Sequence, residues 1–321
     1  MKNRIQVFSW ISLLMILMIC QSSWSAEKVL VSQVSRSFVY MPAYVAFSKG
    51  FFKDEGLEPA LVQMRAQVSS AALETNQTQY AFGGSTTFMS AIIQGFPFKL
   101  MAVLPEKPLH FIIARKEVGS LSDLRGKKFA VSRIGGADHL AAVEILKSKG
   151  VDNIQFLSVG GDEPVRAEFL RNGIIDGTAL GPPFPMVLVK QGYRILGTPG
   201  DTTQGVLSGM WIKTDRLKEK RDEVKRSLRA LFRGIRFFHE QRDETISIMM
   251  QWLNQDRALT SESYDLIRPH FTADGITSDG NIAFNIELLK ELVKSNRSVS
   301  STEVRDFTII REVHKDLGYG R

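Results

Sequence analysis

The sequence predicts an α/β protein with two lobes, followed by a helical C-terminal part. From residue 29 to about residue 197, short apolar runs alternate with segments of helical periodicity, which is typical of a mostly parallel sheet with right-handed crossovers. The alternation restarts after residues 121–126, and this indicates a second α/β unit. Beyond residue 213, apolar residues recur at spacings of three and four, which predicts amphipathic helices.

The first unit contains a regular succession of strands and helices. Pro42 suits the first turn of a helix because that position needs no backbone N–H. The predicted strands are residues 29–34, 61–64, 80–83 and 100–104, and the predicted helices are residues 42–52, 69–75 and 87–94. Because the intervening helices bring the chain back across the sheet, we expect the strands to pair mostly in parallel.

The second unit repeats the alternation of strands and helices in shorter segments, and the C-terminal part consists of longer helical segments. The segments of the second unit are residues 128–132, 138–149, 154–157, 164–172, 178–180 and 182–190. In the C-terminal part, Leu217, Val224, Leu228, Leu231, Ile235 and Phe238 form one apolar helix face. Asp243 suits the N-cap of the next helix, and residues 282–293 predict a further one. We expect this helical part to pack back on one lobe.

The first 26 residues predict an export signal. Lys2 and Arg4 give a positive start, and residues 5–19 form an apolar run that is shorter than the ~20 residues needed to span a bilayer. Cleavage after Ser25 leaves small residues at both preferred positions, whereas cleavage after Ala26 leaves a bulky one. A permanent membrane anchor is the alternative to a cleaved signal.

Cys20 is the only cysteine in the chain, and it ends a string that resembles a lipoprotein box. Ile19 stands where such a box needs a small residue, so cleavage beyond Cys20 is expected and a lipid anchor is the alternative. The mature chain would then contain no cysteine. A chain without cysteine is compatible with an oxidising compartment, because a large domain can fold without disulfides.

The positive charge is concentrated in one segment. Loss of residues 1–26 lowers the formal net charge from +7 to +5, and residues 213–236 hold ten Lys or Arg against four acidic residues. These side chains either solvate a helix face or dock on anionic lipid headgroups or an acidic permease rim. Nucleic acid is not expected as a partner, since no aromatic residues interleave with the basic ones in a stacking pattern.

Four landmarks, in order, resemble one family. Residues 46–57 (AFSKGFFKDEGL), residues 82–85 (FGGS), residues 121–128 (LSDLRGKK) and residues 171–177 (RNGIIDG) are similar to the periplasmic solute-binding proteins of the nitrate/sulfonate/taurine (NitT/TauT, SsuA-like) ABC importers. Each landmark is short, but together they cover roughly residues 29–213 behind an export signal. The resemblance implies the two-lobe periplasmic-binding-protein fold of type II.

The resemblance also implies a domain organisation and a partner. Lobe 1 would comprise residues 27–112 plus 208–321, and lobe 2 would comprise residues 113–207. Two hinge strands, expected at residues 110–114 and at Ser208–Lys213, would connect the lobes, which would close on a small-molecule ligand by a hinge motion. The family further implies a monomer that delivers its ligand to an ABC permease, without cofactor, metal or catalytic residue.

Four loops are expected to meet at the ligand, because open α/β sheets bind ligands at the carboxyl ends of their strands. Arginines there fork to carboxylate, sulfonate or nitrate groups, and glycine loops with free helix N–H groups suit anions. The candidate ligand-binding residues are Arg36, Ser37, Gly84, Ser85, Thr86, Arg133, Gly135, Gly136, Pro182 and Phe184.

Each candidate has a structural alternative. Arg36 can be a solvated surface arginine, and Ser85 or Thr86 can cap a helix. Pro182 can initiate a helix, in which case Phe184 provides no ligand contact. Three neighbouring residues are expected to be structural: Asp138 as the N-cap of its helix, His139, and Trp211 in the core.

Catalytic motifs are not recognisable in the sequence. Residues 205–209 (GVLSG) narrowly miss a nucleophile elbow, and the five histidines have no metal-ligand spacing. An enzyme on the same two-lobe fold is nevertheless one alternative, although the cysteine-rich active segment of the thiamin-pyrimidine enzymes that share the fold is missing. A sensor that reports ligand to a membrane receptor is another.

Overall fold

The computed structural model describes residues 26–34, 36–160, 163–199 and 205–319. The predicted export signal with Cys20 lies outside the described residues, apart from Ala26. Within the described ranges, no helix is both long enough and apolar enough to cross a membrane.

Strands and helices alternate over the first two thirds of the chain. The strands are β1 (Glu27–Gln33), β2 (Leu57–Gln63), β3 (Tyr80–Gly84), β4 (Phe98–Val103), β5 (Phe111–Ala114), β6 (Lys128–Val131), β7 (Gln155–Ser158), β8 (Gly177–Leu180), β9 (Arg194–Gly197) and β10 (Ser208–Lys213). The helices are α1 (Met41–Ser48), α2 (Phe51–Asp54), α3 (Ala66–Glu74), α4 (Ser85–Ile93), α5 (Ala137–Ser148), α6 (Glu163–Arg171), α7 (Phe184–Lys190), α8 (Thr214–Glu219), α9 (Arg221–Glu240), α10 (Arg242–Leu253), α11 (Arg257–Ile267), α12 (Asp279–Val293), α13 (Ser301–Val304) and α14 (Thr308–Asp316). Three 3-10 turns complete the described elements, at Phe38–Tyr40, Leu121–Leu124 and Arg268–His270.

The strands form two five-stranded sheets, which confirms the predicted two-lobe α/β class. The first sheet has the order β2-β1-β3-β10-β4, and the second has the order β7-β6-β8-β5-β9. In each sheet three strands pair in parallel, and the strand that connects to the other sheet (β10 or β5) runs antiparallel to its neighbours. The carboxyl ends of the parallel strands therefore share one edge of each sheet.

The first connection between the sheets lies earlier than predicted. Strand β5 pairs with β8 along its whole length, from Phe111 opposite Leu180 to Ala114 opposite Gly177. Residues 111–114 are thus part of the second sheet, and the connection falls in residues 104–110. The predictions that residues 110–114 and Ser208–Lys213 cross between the lobes were both wrong for this reason: β5 lies within the second sheet and β10 within the first, where each gains hydrogen bonds on both sides.

Two boundaries in the first lobe differ from the sequence prediction. The helix predicted for residues 42–52 divides into α1 and α2 at Gly50, whose φ of +74° is left-handed and favours glycine. Strand β2 begins at Leu57 and includes Pro59. Proline is tolerated there because β2 lies at the edge of the sheet and need not donate a hydrogen bond on its open side.

The core of the first lobe confirms Trp211 as a structural residue. Its side chain is fully buried, stacks on Phe88 with ring centroids 5.1 Å apart, and donates a hydrogen bond from Nε1 to the carbonyl of Gly83 at 3.1 Å. Helix α9 packs across α1 on the same lobe, with its apolar face buried as predicted.

The basic segment at residues 213–236 is largely neutralised by the lobe itself. Eight of its ten cationic side chains make ion pairs with described residues: Lys213 with Glu74, Arg216 with Glu223, Arg221 with Glu312, Lys225 with Glu312 and Asp316, Arg226 with Glu27 and Asp222, Arg229 with Glu55 and Asp316, Arg233 with Asp54, and Arg236 with Glu240. Three of the partners, Glu27, Glu312 and Asp316, lie far from this segment in the sequence. These ion pairs therefore connect α9 to the rest of the lobe. Because most of the cationic side chains are paired, the net charge of the segment overstates the positive charge that is open to a partner.

The helical C-terminal part packs on the first lobe and also reaches the second. Lys190 on α7 makes an ion pair of 3.0 Å with Glu262 on α11, and Leu266 packs against a core cluster of the second lobe. On another side, the loop at Gly135 lies against Leu292 of α12. These contacts connect the C-terminal helices to the second lobe.

Candidate functional site

The candidate site is the space between the carboxyl edges of the two sheets, referred to below as the cleft. The first lobe contributes the ends of β1 and β3 and the start of β10. The second lobe contributes the ends of β6 and β8 and the residue before β5. Arg133 from the second lobe and Thr86 from the first line a common cavity of about 450 Å³, which otherwise lies along α3 and α4 of the first lobe.

The loop after β1 places Arg36 at the cleft mouth. Its guanidinium lies 5.9 Å from the ring centroid of Trp252, which stacks on Tyr44 at 4.4 Å. Tyr44 in turn donates a hydrogen bond of 2.8 Å to Oε1 of Gln33, and burial raises the pKa of Tyr44. Arg36 is exposed, and it has no ion pair with a described residue. Its charge is therefore available to a solute.

Ser37 has a local structural role. Its Oγ accepts a hydrogen bond of 3.3 Å from the N–H of Val39 and so caps the 3-10 turn at Phe38–Tyr40. The hydroxyl hydrogen is not used by this contact, so Ser37 can still donate to a ligand.

The loop at the end of β3 leaves a helix N-terminus without a side-chain cap. Gly84 is the N-cap of α4, and neither Ser85 nor Thr86 caps the helix, so the capping alternative does not apply. The N–H of Ser85 donates to the carbonyl of Leu207 at 2.9 Å. The Ser85 hydroxyl is fully buried and has no hydrogen-bond partner in the described part of the chain.

A second unpartnered hydroxyl lies beside the first. Ser208, at the start of β10, pairs with Gly84 in the antiparallel register, and its Oγ is likewise buried without a partner among the described residues. A buried hydroxyl without a hydrogen bond costs about 1–3 kcal/mol. Both hydroxyls lie where β3 ends and β10 begins, at the edge of the first sheet that faces the candidate site.

The loop after β6 brings Arg133 and two glycines to the cleft. Arg133 is exposed and forms no ion pair or side-chain hydrogen bond within the described ranges. Gly135 has a φ of +77°, and a Cβ there would lie 3.3 Å from Leu292. At Gly136 a Cβ would come within 2.8 Å of the Asp138 carboxylate. Both glycines therefore permit the close approach of this loop to α12 and to its own helix.

Asp138 is not the N-cap that the sequence predicted, because Gly136 takes that position. The Asp138 carboxylate instead accepts hydrogen bonds from the N–H and the hydroxyl of Ser132 at 2.6 and 2.7 Å, and lies 3.5 Å from Arg166. Burial by itself would raise its pKa, but His110, Arg166 and the Ser132 hydrogen bonds hold the pKa of Asp138 below its usual range. His139 is structural as expected: Nδ1 accepts from the N–H of Gly135, and the ring packs on Phe156.

Glu163 lies at the hinge end of the same edge. Its Oε1 accepts a hydrogen bond of 2.9 Å from the N–H of Gly181 and lies 3.8 Å from Nε2 of His110, the residue before β5. Burial raises the pKa of Glu163 despite these neighbours. Its side chain is about one quarter exposed (26%), so a solute can reach it.

Pro182 and Phe184 follow β8 as predicted, but their role is partly structural. Pro182 is buried, and Phe184 begins α7 and packs against a core cluster of the second lobe. Phe184 is only half-buried, so part of its ring remains available as an apolar wall.

The four predicted loops lie at the carboxyl edges of the two sheets, and several residues that sequence reasoning missed lie near them. These residues are Gln33, Ser208, Glu163 and the buried Asp138–Arg166 pair, and Trp252 lies beside Arg36. Arginines, helix N–H groups and hydroxyls make this a place to bind a polar solute by hydrogen bonds. Among the described residues, no group of three His, Cys, Asp or Glu side chains is arranged to hold a metal ion.

Comparison with known proteins gives the same fold. The NMT1/THI5-like family model matches residues 37–181. YtlA of Bacillus subtilis (strain 168), a candidate binding protein, is 26% identical over 264 residues, which cover 77% of each chain. The periplasmic aliphatic sulphonate binding protein SsuA from Escherichia coli superposes with a TM-score of 0.73 at 17% identity, covering 86% of this chain and 91% of that one.

An enzyme also shares the fold. The desulfurization enzyme DSZB superposes with a TM-score of 0.72 at 12% identity, covering 90% of this chain and 99% of its own. Fold alone therefore does not separate binding from catalysis. The resemblance read from the sequence is supported by the similarity of residues 37–181 to the NMT1/THI5-like family model, and the chain has the α/β fold of the periplasmic binding proteins.

Proposed function

We propose that this chain is the extracytoplasmic solute-binding component of an ABC importer. It captures a small anionic or polar organic solute between its two lobes and delivers the solute to the permease. In this proposal residues 1–26 are an export signal, and the mature protein acts as a monomer. The proposed lobes, residues 27–112 with 208–321 and residues 113–207, follow the two sheets except at Phe111 and Ile112, which pair within the second sheet.

One observation carries the proposal. At the edge where the two sheets meet, two arginines without ion pairs and two buried hydroxyls without hydrogen bonds come from separate loops of both lobes. The buried hydroxyls are costly unless a partner completes their hydrogen bonds, and the exposed arginines are open to an anionic group. The sulphonate-binding protein SsuA from Escherichia coli, which has the same fold, supports an anionic group on the solute.

A thermal-shift screen tests this function. The purified protein would be heated with alkanesulfonates, carboxylates, nitrate and pyrimidines, and the midpoint should rise with the concentration of at least one solute and then saturate. An absence of stabilisation by every solute, together with turnover of one of them, would contradict the binding function. Export would be tested separately. The protein would be recovered from outside the cytoplasm and its N-terminal residue determined, which should be Ala26 if cleavage follows Ser25.

Removing the charge of Arg133 should weaken binding of an anion. Arg133→Ala is expected to raise the Kd of the tightest anion from the screen by about 10- to 100-fold, because a hydrogen bond to a charged group contributes about 1.5–3 kcal/mol. Isothermal titration calorimetry would measure the Kd of the anion for the variant and for the unaltered protein. Arg194→Ala is the matched control: Arg194 is also exposed, but it pairs with Ala114 at the opposite end of the second sheet. Equal effects of both variants would remove Arg133 from the site.

Removing the Ser208 hydroxyl should separate binding from stability. Ser208→Ala is expected to leave the melting temperature unchanged or slightly raised, since a buried unpartnered hydroxyl is lost, and to weaken solute binding about 5- to 10-fold. Ser263→Ala is the control, because the Ser263 hydroxyl on α11 is also buried without a partner in the described structure but lies away from the cleft. If Ser208→Ala binds the solute as tightly as Ser263→Ala does, the hydroxyl does not contact the solute.

An enzyme that acts on a small metabolite is the second candidate function, and the shared fold of DSZB favours it. Incubation of the protein with each stabilising solute, followed by mass analysis of the solute, would distinguish the two. An unchanged solute supports binding, and a converted one supports catalysis.

A further inference from the structure

The end of the second lobe opposite the cleft is formed by the amino edge of its sheet. Strands β7, β6, β8 and β9 begin there and β5 ends there, as the pairing of Ala114 with Gly177 and Arg194 shows. Helices α5, α6 and α7 also end there, each a few residues before the next strand begins. We call this surface the distal edge, and it comprises residues 115–128, 147–155, 171–176 and 190–194.

The positive charge of the second lobe is concentrated on the distal edge. The distal edge holds ten Lys or Arg against four acidic residues, a formal net charge of +6. The rest of residues 113–207 holds two Lys or Arg against six acidic residues, a formal net charge of −4. The small net charge of the whole lobe therefore conceals a separation of charge between its two ends.

The four acidic side chains of the distal edge are already engaged. Each pairs with an arginine or accepts backbone hydrogen bonds: Glu117 and Asp176 pair with Arg115, Asp152 pairs with Arg125, and Asp123 accepts from the N–H groups of Gly119 and Ser120. These contacts use the two arginines and leave the lysines of the same surface without a carboxylate.

Six cationic side chains of the distal edge make no ion pair with a described residue. All six are exposed: Lys116, Lys127, Lys128, Lys147, Lys149 and Arg194. Lys147 and Lys149 lie at the end of α5, where a cation offsets the helix dipole. The other four lie at or beside strand ends, and no helix end accounts for them.

The chemistry of these free cations favours a broad anionic surface over a single shaped site. Five of the six are lysines, whose ammonium groups are point charges on flexible stems, whereas a guanidinium has a fixed planar geometry. Neighbouring strands lie about 4.8 Å apart, so the ends of five strands extend over roughly 19 Å. Lipid headgroups can rearrange laterally beneath such a row of charges.

An exposed apolar residue lies at the centre of the row. Ile174 stands in the turn before β8, the third of the five strands in the sheet, and it is 50% exposed. Lys128 begins β6 on one side of β8, and Lys116 follows β5 on the other side. An apolar side chain between cations suits the boundary between headgroups and acyl chains.

We propose that the distal edge docks on the anionic headgroups of a phospholipid bilayer, with its lysines near the phosphates and Ile174 between the headgroups. Each basic side chain near such a surface adds to the attraction, and salt screens it. Docking leaves the cleft free, because the distal edge lies at the opposite end of the sheet. It is therefore independent of solute binding.

The distal edge is better suited to this docking than the basic segment at residues 213–236. Only Lys218 and Lys220 of that segment make no ion pair with a described residue, although the segment has as many Lys and Arg as the distal edge. The charge that is open to a membrane therefore lies mainly on the second lobe.

Co-sedimentation with vesicles tests the proposal in the unaltered mature protein. One set of vesicles would contain phosphatidylcholine alone, and in the other about one third of the lipid would be phosphatidylglycerol. The partition coefficient is expected to be at least about tenfold larger on the anionic vesicles, and to fall by a similar factor when salt is raised from about 0.05 M to about 0.5 M. Equal partitioning on both vesicles, no binding to either, or binding that salt does not weaken would overturn the proposal.

A pair of double variants assigns the binding to the distal edge. Lys127→Glu with Lys149→Glu is expected to lower the partition coefficient on anionic vesicles at least about tenfold, because both lysines are exposed on neighbouring loops of that edge. Lys218→Glu with Lys220→Glu is the matched control, since it changes the net charge equally and also alters exposed lysines without ion pairs. The control should change the coefficient less than about twofold, and both variants should keep the melting temperature.

The variants separate docking by this surface from attraction by net charge. Equal losses in the two double variants, or a larger loss in the control, would overturn the assignment to the distal edge. Ile174→Ser is expected to weaken binding roughly threefold without changing its salt dependence, because only apolar contact is lost. Unchanged binding of Ile174→Ser would show that Ile174 does not enter the headgroup layer.

Discussion

Replacing Arg216 with methionine is expected to lower the free energy of unfolding by about 3–5 kcal/mol. Arg216 pairs with Glu223, which is 2% exposed and also accepts a hydrogen bond from the Tyr80 hydroxyl. Methionine keeps much of the side-chain volume but leaves the Glu223 carboxylate buried without its cation. Urea unfolding followed by circular dichroism would measure the loss.

The size of this effect depends on burial, so an exposed pair serves as its control. Arg242 pairs with Asp265, and the two side chains are 46% and 55% exposed. Arg242→Met should therefore cost less than about 1 kcal/mol. Replacing both buried partners, as Arg216→Met with Glu223→Leu, should restore much of the stability because no buried charge remains. Similar losses in Arg216→Met and Arg242→Met would contradict the role of burial.

The second large effect is expected at Gly234, where α9 crosses α1. A Cβ at this position would lie 2.3 Å from the carbonyl oxygen of Pro42 and 2.7 Å from Cβ of Ala46. Because one of these atoms belongs to the backbone, the two helices must move apart to admit a methyl group. Gly234→Ala is expected to destabilise the protein by about 1–3 kcal/mol, the usual cost of overpacking a core. The midpoint of thermal unfolding would fall accordingly.

Gly280→Ala is the matched control, since Gly280 is also helical. It lies in the first turn of α12, is exposed, and a Cβ there would meet only the Ser278 hydroxyl at 3.7 Å. Alanine should leave stability unchanged or raise it by a few tenths of a kcal/mol, because it lowers the entropy of the unfolded chain. A stabilising Gly234→Ala would show that α9 and α1 are not in close contact.

Periodicity predicted most elements of the fold because it is a local property. The alternation of apolar runs and helical segments indicated both α/β units, and the three- and four-residue spacing indicated the buried face of α9. The predictions were wrong where an element depends on distant residues. Pro59 argues against a strand until β2 is known to be an edge strand. Residues 111–114 resemble a connection until their partners in the second sheet are known.

The candidate site shows the same division. Arg36, Arg133 and the glycine loops were predictable because each directly follows a strand and lies at the carboxyl edge of a sheet. Trp252 and Ser208 were not, since Trp252 approaches Arg36 and Ser208 pairs with Gly84 from segments far along the chain. The charge of residues 213–236 was also misleading, because acidic partners such as Glu27 and Asp316 lie far from this segment in the sequence.

The sequence by itself determined the α/β class, the two units and the loops that carry polar groups, because these depend on the order and type of neighbouring residues. The export signal, which lies outside the described residues, stays a prediction. The tertiary structure alone decided which charges are neutralised and which are available. Asp138 and Glu163 look alike in sequence, but Arg166 and Ser132 engage the first and leave the second open to the cleft. The physical reason is that burial and pairing set the free energy of a charge, and both are made by residues that only folding brings together.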